Sequence, residues 1–188
     1  SHAELGAPGP QVVDGVQLWV ALPPEDAALP PSFEHFKDLP RRVEGGCELV
    51  VFAGEVGALR APVVPRSPLV GAEIRLPAGG GITLPLDPGF EHSVLLLRGE
   101  AQAEAQPLGR DAMVYLGTGR TSLELHSAAG GRVMLLGGQP MPGELVMWWN
   151  FVAWEPEDIA AAAADWAAGA PRFGEIDGVH LPRIPAPP

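Results

Sequence analysis

Apolar residues in this chain come in short runs of strand length, and glycines punctuate the runs. The runs lie at residues 47–53, 69–76, 93–97, 112–116, 122–126 and 133–136. Gly45-Gly46, Gly79-Gly80-Gly81, Gly117, Gly119, Gly130-Gly131 and Gly137-Gly138 stand between them or at their ends. Apolar runs of roughly four to eight residues are short for helices, and glycine supplies the backbone freedom of tight turns. Such spacing predicts an all-β sandwich or barrel. Within 69–76, Val70, Ala72, Ile74 and Leu76 share one face while Glu73 and Arg75 share the other, which predicts one buried and one wetter face.

The two flanks read differently. Residues 16–22, VQLWVAL, alternate with Val16, Leu18, Val20 and Leu22 on one side, the pattern of a half-buried strand. Pro23 and Pro24 stop it, because proline cannot donate to a sheet ladder, and an irregular stretch packing through Phe33 and Phe36 is expected as far as Pro40. Near the other end, Pro156 with Glu157 and Asp158 makes a favourable first helical turn, and an alanine-rich stretch follows to Ala168. Ile159, Ala162 or Ala163, and Trp166 fall on one helical face, and Gly169 with Pro171 ends the helix. The proline-rich residues 183–188 are expected to be extended or disordered.

A chain of 188 residues fits one generous core or two small ones, so pattern must decide the domain count. Twelve basic against 23 acidic residues leave a net charge of -11, which excludes nucleic-acid or anionic-membrane binding through bulk electrostatics. Arg41-Arg42 is a local basic pair. No apolar run approaches the roughly 18 residues of a membrane helix. The single cysteine, Cys47, excludes an intramolecular disulfide and a Cys-rich zinc site, and its place in a strand predicts a buried apolar role. A cytoplasmic location is the default expectation.

Chemistry-bearing residues are few. His2 and Glu4 stand two apart, so an extended strand would point both to one side. Imidazole and carboxylate together suit iron, manganese, nickel or zinc, but two ligands do not complete a site. The chain opens on Ser1 rather than methionine, and further ligands are therefore expected upstream; a terminal Ser-His is also what a cleaved tag leaves. Asp87, Glu91 and His92 gather in DPGFEHS. His126 shares a polar strand face with Glu124, and His35 and His180 sit in proline-rich loops, where solvent exposure is expected. Trp148, Trp149, Phe151 and Trp154 suit either an aromatic pocket or interdomain core. Gly79-Gly80-Gly81 lacks the lysine and helix start of a phosphate loop, and no GxSxG elbow is present.

Read in order, SHAE, GVQLWVALP, SPLVGAEIRLPAGG, LPLDPGFEHSVLLLRGEA, LLGGQPMPGELVMWWNFV and DWAAGAPRFGEI resemble the pirin family of the cupin superfamily over essentially the whole chain. The resemblance implies a bicupin: two jelly-roll β-barrels packed face to face, a metal, usually Fe(II), in the N-terminal barrel, and a C-terminal helix. Its ligands are an HxH pair and a later HxE pair. His2 and Glu4 match the later pair, while no HxH occurs in the sequence. The resemblance therefore implies that the first barrel is incomplete here, its remaining ligands upstream of residue 1, and that this chain alone would hold Fe(II) or another divalent metal weakly. At Asp87, Glu91 and His92 the pattern of a metal-binding cupin is not reproduced, and a ligand-poor C-terminal barrel is what the family implies.

On this reading residues 1–24 end the N-terminal cupin barrel, 25–44 form a linker and 45–147 the C-terminal barrel. An aromatic segment and helix occupy 148–174, and 175–188 form the tail. The implied activity is that of a quercetin 2,3-dioxygenase-like oxidoreductase on a flavonol-like aromatic substrate, with Glu4 as the carboxylate that takes the substrate proton and His2 as a fixed ligand. The alternative is a non-catalytic iron-binding regulator that acts through a protein partner.

Overall fold

In the computed structural model, residues 9, 12–174 and 183–187 are described. The chain divides into two compact units, one of residues 34–140 and one joining 1–33 with 141–188.

The 34–140 unit is built from strands β1 (Arg41–Glu44), β2 (Cys47–Ala53), β3 (Glu55–Val56), β4 (Leu59–Arg60), β5 (Leu69–Leu76), β6 (Gly80–Pro85), β7 (Glu91–Gly99), β8 (Gln102–Ala103), β9 (Gln106–Pro107), β10 (Met113–Gly117), β11 (Ser122–Ser127) and β12 (Gly131–Gly138). A six-stranded sheet has the order β1-β2-β5-β12-β7-β10, and a four-stranded sheet the order β6-β11-β8-β9. Pairing within both is antiparallel, with Ala72 opposite Leu135 and Leu123 opposite Leu84. The order departs from chain order because sequential strands cross between sheets, as a jelly-roll barrel requires.

Alternation in the sequence becomes burial in the fold. Val70, Ala72, Ile74 and Leu76 of β5, Ile82 and Leu84 of β6, Val94 and Leu96 of β7, and Leu123 and Leu125 of β11 all enter one core. Leu49, Ile74, Leu84, Leu123, Leu125 and Leu135 are fully enclosed. Each such side chain contributes about 1.5–3 kcal/mol of transfer free energy, so this double row is the main source of the unit's stability.

The strands expected at 47–53 and 69–76 form with those bounds, and the other four expected runs lie within or overlap β7, β10, β11 and β12. The short strands β3, β4, β8 and β9 were not anticipated, nor were two longer ones, β1 and β6. β1 reads RRVE, charges that disguise a strand but suit the edge position it occupies. β6 begins on Gly80 and Gly81, which pattern alone assigns to a turn; the turn ends at Gly79, whose φ of 72° is left-handed. The linker's expected packing through Phe33 and Phe36 is corrected: Phe33 is 89% exposed, and only Phe36 is partly covered, because the prolines around Phe33 hold the chain extended.

The second unit contains the hairpin of β13 (Val146–Trp148) and β14 (Phe151–Ala153) and the helix α1 (Pro156–Ala167). The helix starts one residue after Glu155 and ends at Ala167, with Ala168 as its cap and Gly169, at a left-handed φ of 72°, turning the chain away. Ile159 and Ala162 are buried against Phe151, with Trp149, Trp166 and Phe173 around them. Trp149 meets Phe151 edge to face at 5.4 Å, and Trp166 meets Phe173 at 5.1 Å. Trp149 adopts a left-handed φ of 51° in the two-residue hairpin loop, a strain of about 1–3 kcal/mol that its aromatic packing offsets. From the tail, the Arg183 guanidinium lies 4.9 Å from the Trp166 ring centre.

Residues 16–22 are a correction. They join no sheet in the described structure, and Val16, Leu18, Trp19 and Val20 are exposed. Alternation marks a segment able to bury one face, but a strand also needs a neighbour to take up its main-chain hydrogen bonds. The segment is instead tied at its end, where the Trp154 indole N–H donates to the Leu22 carbonyl at 3.1 Å.

Candidate functional site

His2, Glu4 and His180 lie outside the described residues. Among the described residues no group of three or more histidine, cysteine, aspartate or glutamate side chains is placed to hold a metal ion. No helix among them is long and apolar enough to cross a membrane. His35 and His126 are exposed. Cys47 is fully buried and its thiol donates to the Gly81 carbonyl at 3.4 Å; burial pushes its pKa up, and the nearby Glu44 charge adds to the effect.

The DPGFEHS segment separates its three titratable groups. Asp87 opens a β-turn closed by the Phe90 N–H at 3.1 Å, and its carboxylate accepts the Gly89 N–H at 2.8 Å. Glu91, the first residue of β7, accepts a 2.7 Å hydrogen bond from the Tyr115 hydroxyl on β10. His92 follows with the opposite orientation, because successive strand residues alternate, and shares the core side with Val94 and Leu96.

His92 is the unusual residue of this unit. It is 1% exposed, and neither Nδ1 nor Nε2 has a hydrogen-bond partner. Gly137 stands opposite it on β12, and a Cβ there would lie 2.6 Å from the His92 Cδ2, so glycine makes room for the ring. Burial lowers the His92 pKa, with the Asp87 charge and the Phe90 backbone pulling weakly the other way. The ring is therefore neutral near pH 7, with one donor and one acceptor unused. A buried polar group without partners costs about 1–3 kcal/mol, which asks for a role.

Beside it lies a cavity of about 450 Å³, lined by Ala61, Val63, Leu69, Leu86 and Phe90 with the charged residues Glu55, Arg60 and Asp87. Phe90 belongs to both places. It lines the cavity, and its ring centre is 6.1 Å from that of His92 at a tilt of 31°. Two of the three charged lining residues pair: Glu55 Oε2 accepts from Arg60 Nη2 at 2.7 Å and from Nε at 3.0 Å. A second concavity of about 350 Å³ is lined by Glu44, Thr83, Glu124 and His126. Sequence reading did not find the first cavity. Its signal was the prolines at 62, 65 and 68, which keep the connection between β4 and β5 out of the sheet.

The expected choice for the aromatic cluster resolves within one unit. Trp149, Phe151 and Trp166 pack with the helix as core, while Trp148 stacks 6.2 Å from Phe151 and stays partly exposed.

Comparison with known proteins agrees with this architecture. The family model of the pirin C-terminal cupin domain matches residues 71–174. A Pseudomonas aeruginosa protein named "Putative quercetin 2,3-dioxygenase PA1205" is 39% identical over 188 residues, all of this chain and 60% of its own length. A pirin-like protein of Caulobacter vibrioides is 33% identical over 178 residues, covering 93% of this chain and 60% of the relative. The crystal structure of a quercetin 2,3-dioxygenase from Acinetobacter baumannii superposes with a TM-score of 0.82 at 37% identity, over 90% of this chain and 56% of that one. The chain thus spans about 60% of the length of these curated relatives. A domain match over more than half of the chain, carried by the all-β cupin fold with one α-helix among the described residues, makes this protein a member of the pirin family.

Proposed function

We propose that the protein is a metal-binding cupin oxidoreductase of the quercetin 2,3-dioxygenase type, with a flavonol-like aromatic substrate. What supports this is the match over all of this chain and 60% of the relative's length, at 39% identity, to the Pseudomonas aeruginosa protein named for that activity. His2 and Glu4 are the residues proposed to hold the metal, an imidazole and a carboxylate suited to Fe(II) or another divalent ion. A bound metal of this kind supplies Lewis acidity toward the vicinal oxygens of a flavonol. Glu4 would then accept the substrate hydroxyl proton at its carboxylate, and His2, lacking that basic oxygen pair, would orient without taking part in proton transfer.

The test uses the intact protein, with whatever residues its gene places before Ser1. Iron content and quercetin consumption are measured together after anaerobic Fe(II) loading. Turnover in the unaltered protein, reduced at least a hundredfold in Glu4→Gln with iron retained, is the expected outcome. Bound iron without quercetin loss would overturn the enzyme reading and leave the iron-binding regulator as its successor.

A further inference from the structure

We propose that the cavity beside Phe90 binds a small neutral molecule carrying a hydroxyl group, and that this hydroxyl hydrogen-bonds to the imidazole of His92. The inference concerns the 34–140 unit alone and does not depend on His2, Glu4 or a metal.

Three features of the structure converge on it. The cavity, about 450 Å³, lies within the range of small-molecule sites and has a largely apolar lining from Ala61, Val63, Leu69 and Leu86. Of its charges, Glu55 and Arg60 pair through two hydrogen bonds, while the Asp87 carboxylate accepts the Gly89 N–H and keeps its negative charge. An anionic ligand would have to break the Glu55–Arg60 pair to find a cation and would face the Asp87 carboxylate besides, whereas a neutral one leaves the pair intact. Finally, neither ring nitrogen of His92 has a well-formed hydrogen bond, although the residue is 1% exposed. A hydroxyl is both donor and acceptor, so it can serve either nitrogen of a neutral imidazole.

Phe90 is the shutter between cavity and imidazole. Its ring lines the first and packs against the second, and it is only partly buried at the end of a β-turn. A change of side-chain rotamer there moves one ring and no sheet strand, since the Phe90 N–H bond to Asp87 is a main-chain contact that rotation about χ1 leaves alone. The ligand's apolar body then takes the place of the ring against Val63 and Leu86, and its hydroxyl reaches the nitrogen behind.

Phenol, toluene and benzoate are suitable probes because they share a ring and differ in the polar group. Each is titrated into the ¹⁵N-labelled intact protein while the His92 ring-nitrogen resonances are followed. The expected result is a saturable shift with phenol that toluene and benzoate do not produce, and at least a tenfold weaker phenol affinity in Val63→Trp, which fills the cavity without touching His92. Val64→Trp, at a position 82% exposed, provides a second filler that folding tolerates. The proposal is overturned if phenol gives no saturable shift, if toluene or benzoate matches it, or if both tryptophan variants bind phenol as the unaltered protein does.

Discussion

Arg132 Nη2 donates to Glu73 Oε2 at 2.6 Å, diagonally across the paired strands β12 and β5. The same carboxylate accepts from Arg75 Nε at 2.8 Å, and Arg75 in turn reaches Glu48 of β2 at 3.2 Å. A line of alternating charge thus crosses the outer face of the large sheet. Glu73 and Arg132 are its most covered pair, at 15% and 21% side-chain exposure.

Glu73 should therefore matter to stability in a pH-dependent way. Burial alone would raise its pKa, but the hydrogen bonds and charges of Arg132 and Arg75 outweigh that and hold it below the usual 4.5. A depressed folded pKa contributes stability above the unfolded value and loses it as pH falls through the folded one. Glu73→Gln is expected to cost about 1–3 kcal/mol at pH 7 in urea unfolding. Its gap to the unaltered protein should stay constant down to about pH 5.5 and narrow below about pH 4.5. A gap that does not change with pH would remove the ion network from the account.

Two glycines of similar backbone conformation should respond very differently to a methyl group. Gly54 and Gly79 have φ of 64° and 72°, so alanine at either carries left-handed strain. At Gly79 the added Cβ meets nothing within 4 Å, whereas at Gly54 it would strike the Leu69 carbonyl oxygen of the backbone. Gly79→Ala is expected to cost about 1–2 kcal/mol. Gly54→Ala should cost clearly more, or leave no cooperative transition, because β5 begins at Leu69 and cannot retreat. Denaturation midpoints that coincide for the two variants would show that the β2–β5 approach is looser than the structure has it.

His92 predicts an acid sensitivity in a separate window. Its folded pKa is lowered by burial, so between that value and the ordinary 6.5 the unfolded chain binds one more proton than the folded one. Stability then falls as pH drops below about 6.5, by up to about 1.4 kcal/mol per pH unit, and is independent of this group above pH 7. Comparing unfolding at pH 7.5 and 5.5, His92→Leu should lose less stability on acidification than the unaltered protein. Equal losses would mean that the imidazole is hydrated in solution.

The β-strand pattern was legible because burial on one face of a strand leaves a period of two in the chain, and residues 69–76 carry it in full. Helix α1 was legible for a similar reason, through Pro156, the early acids and the stripe of Ile159, Ala162 and Trp166. Where local signals competed, the pattern misled. Gly80 and Gly81 looked like a turn and open β6, and Arg41-Arg42 looked like linker and form an edge strand. Residues 16–22 alternate as a strand does yet join no sheet in the described structure, since pairing belongs to two segments and alternation to one.

The candidate cavity shows the same division. The chain alone states that Asp87, Glu91 and His92 are close in sequence, that prolines interrupt residues 61–68, and that the chain's sequence family is the pirins. Folding decides that Glu91 turns out to meet Tyr115 while His92 turns into the core. It also brings Phe90 both near that imidazole and into the wall of a cavity shared with a loop some 30 residues earlier in the chain. Strand alternation sets the direction of each side chain, but only the register of β7 against β12 and β10 decides what each one meets.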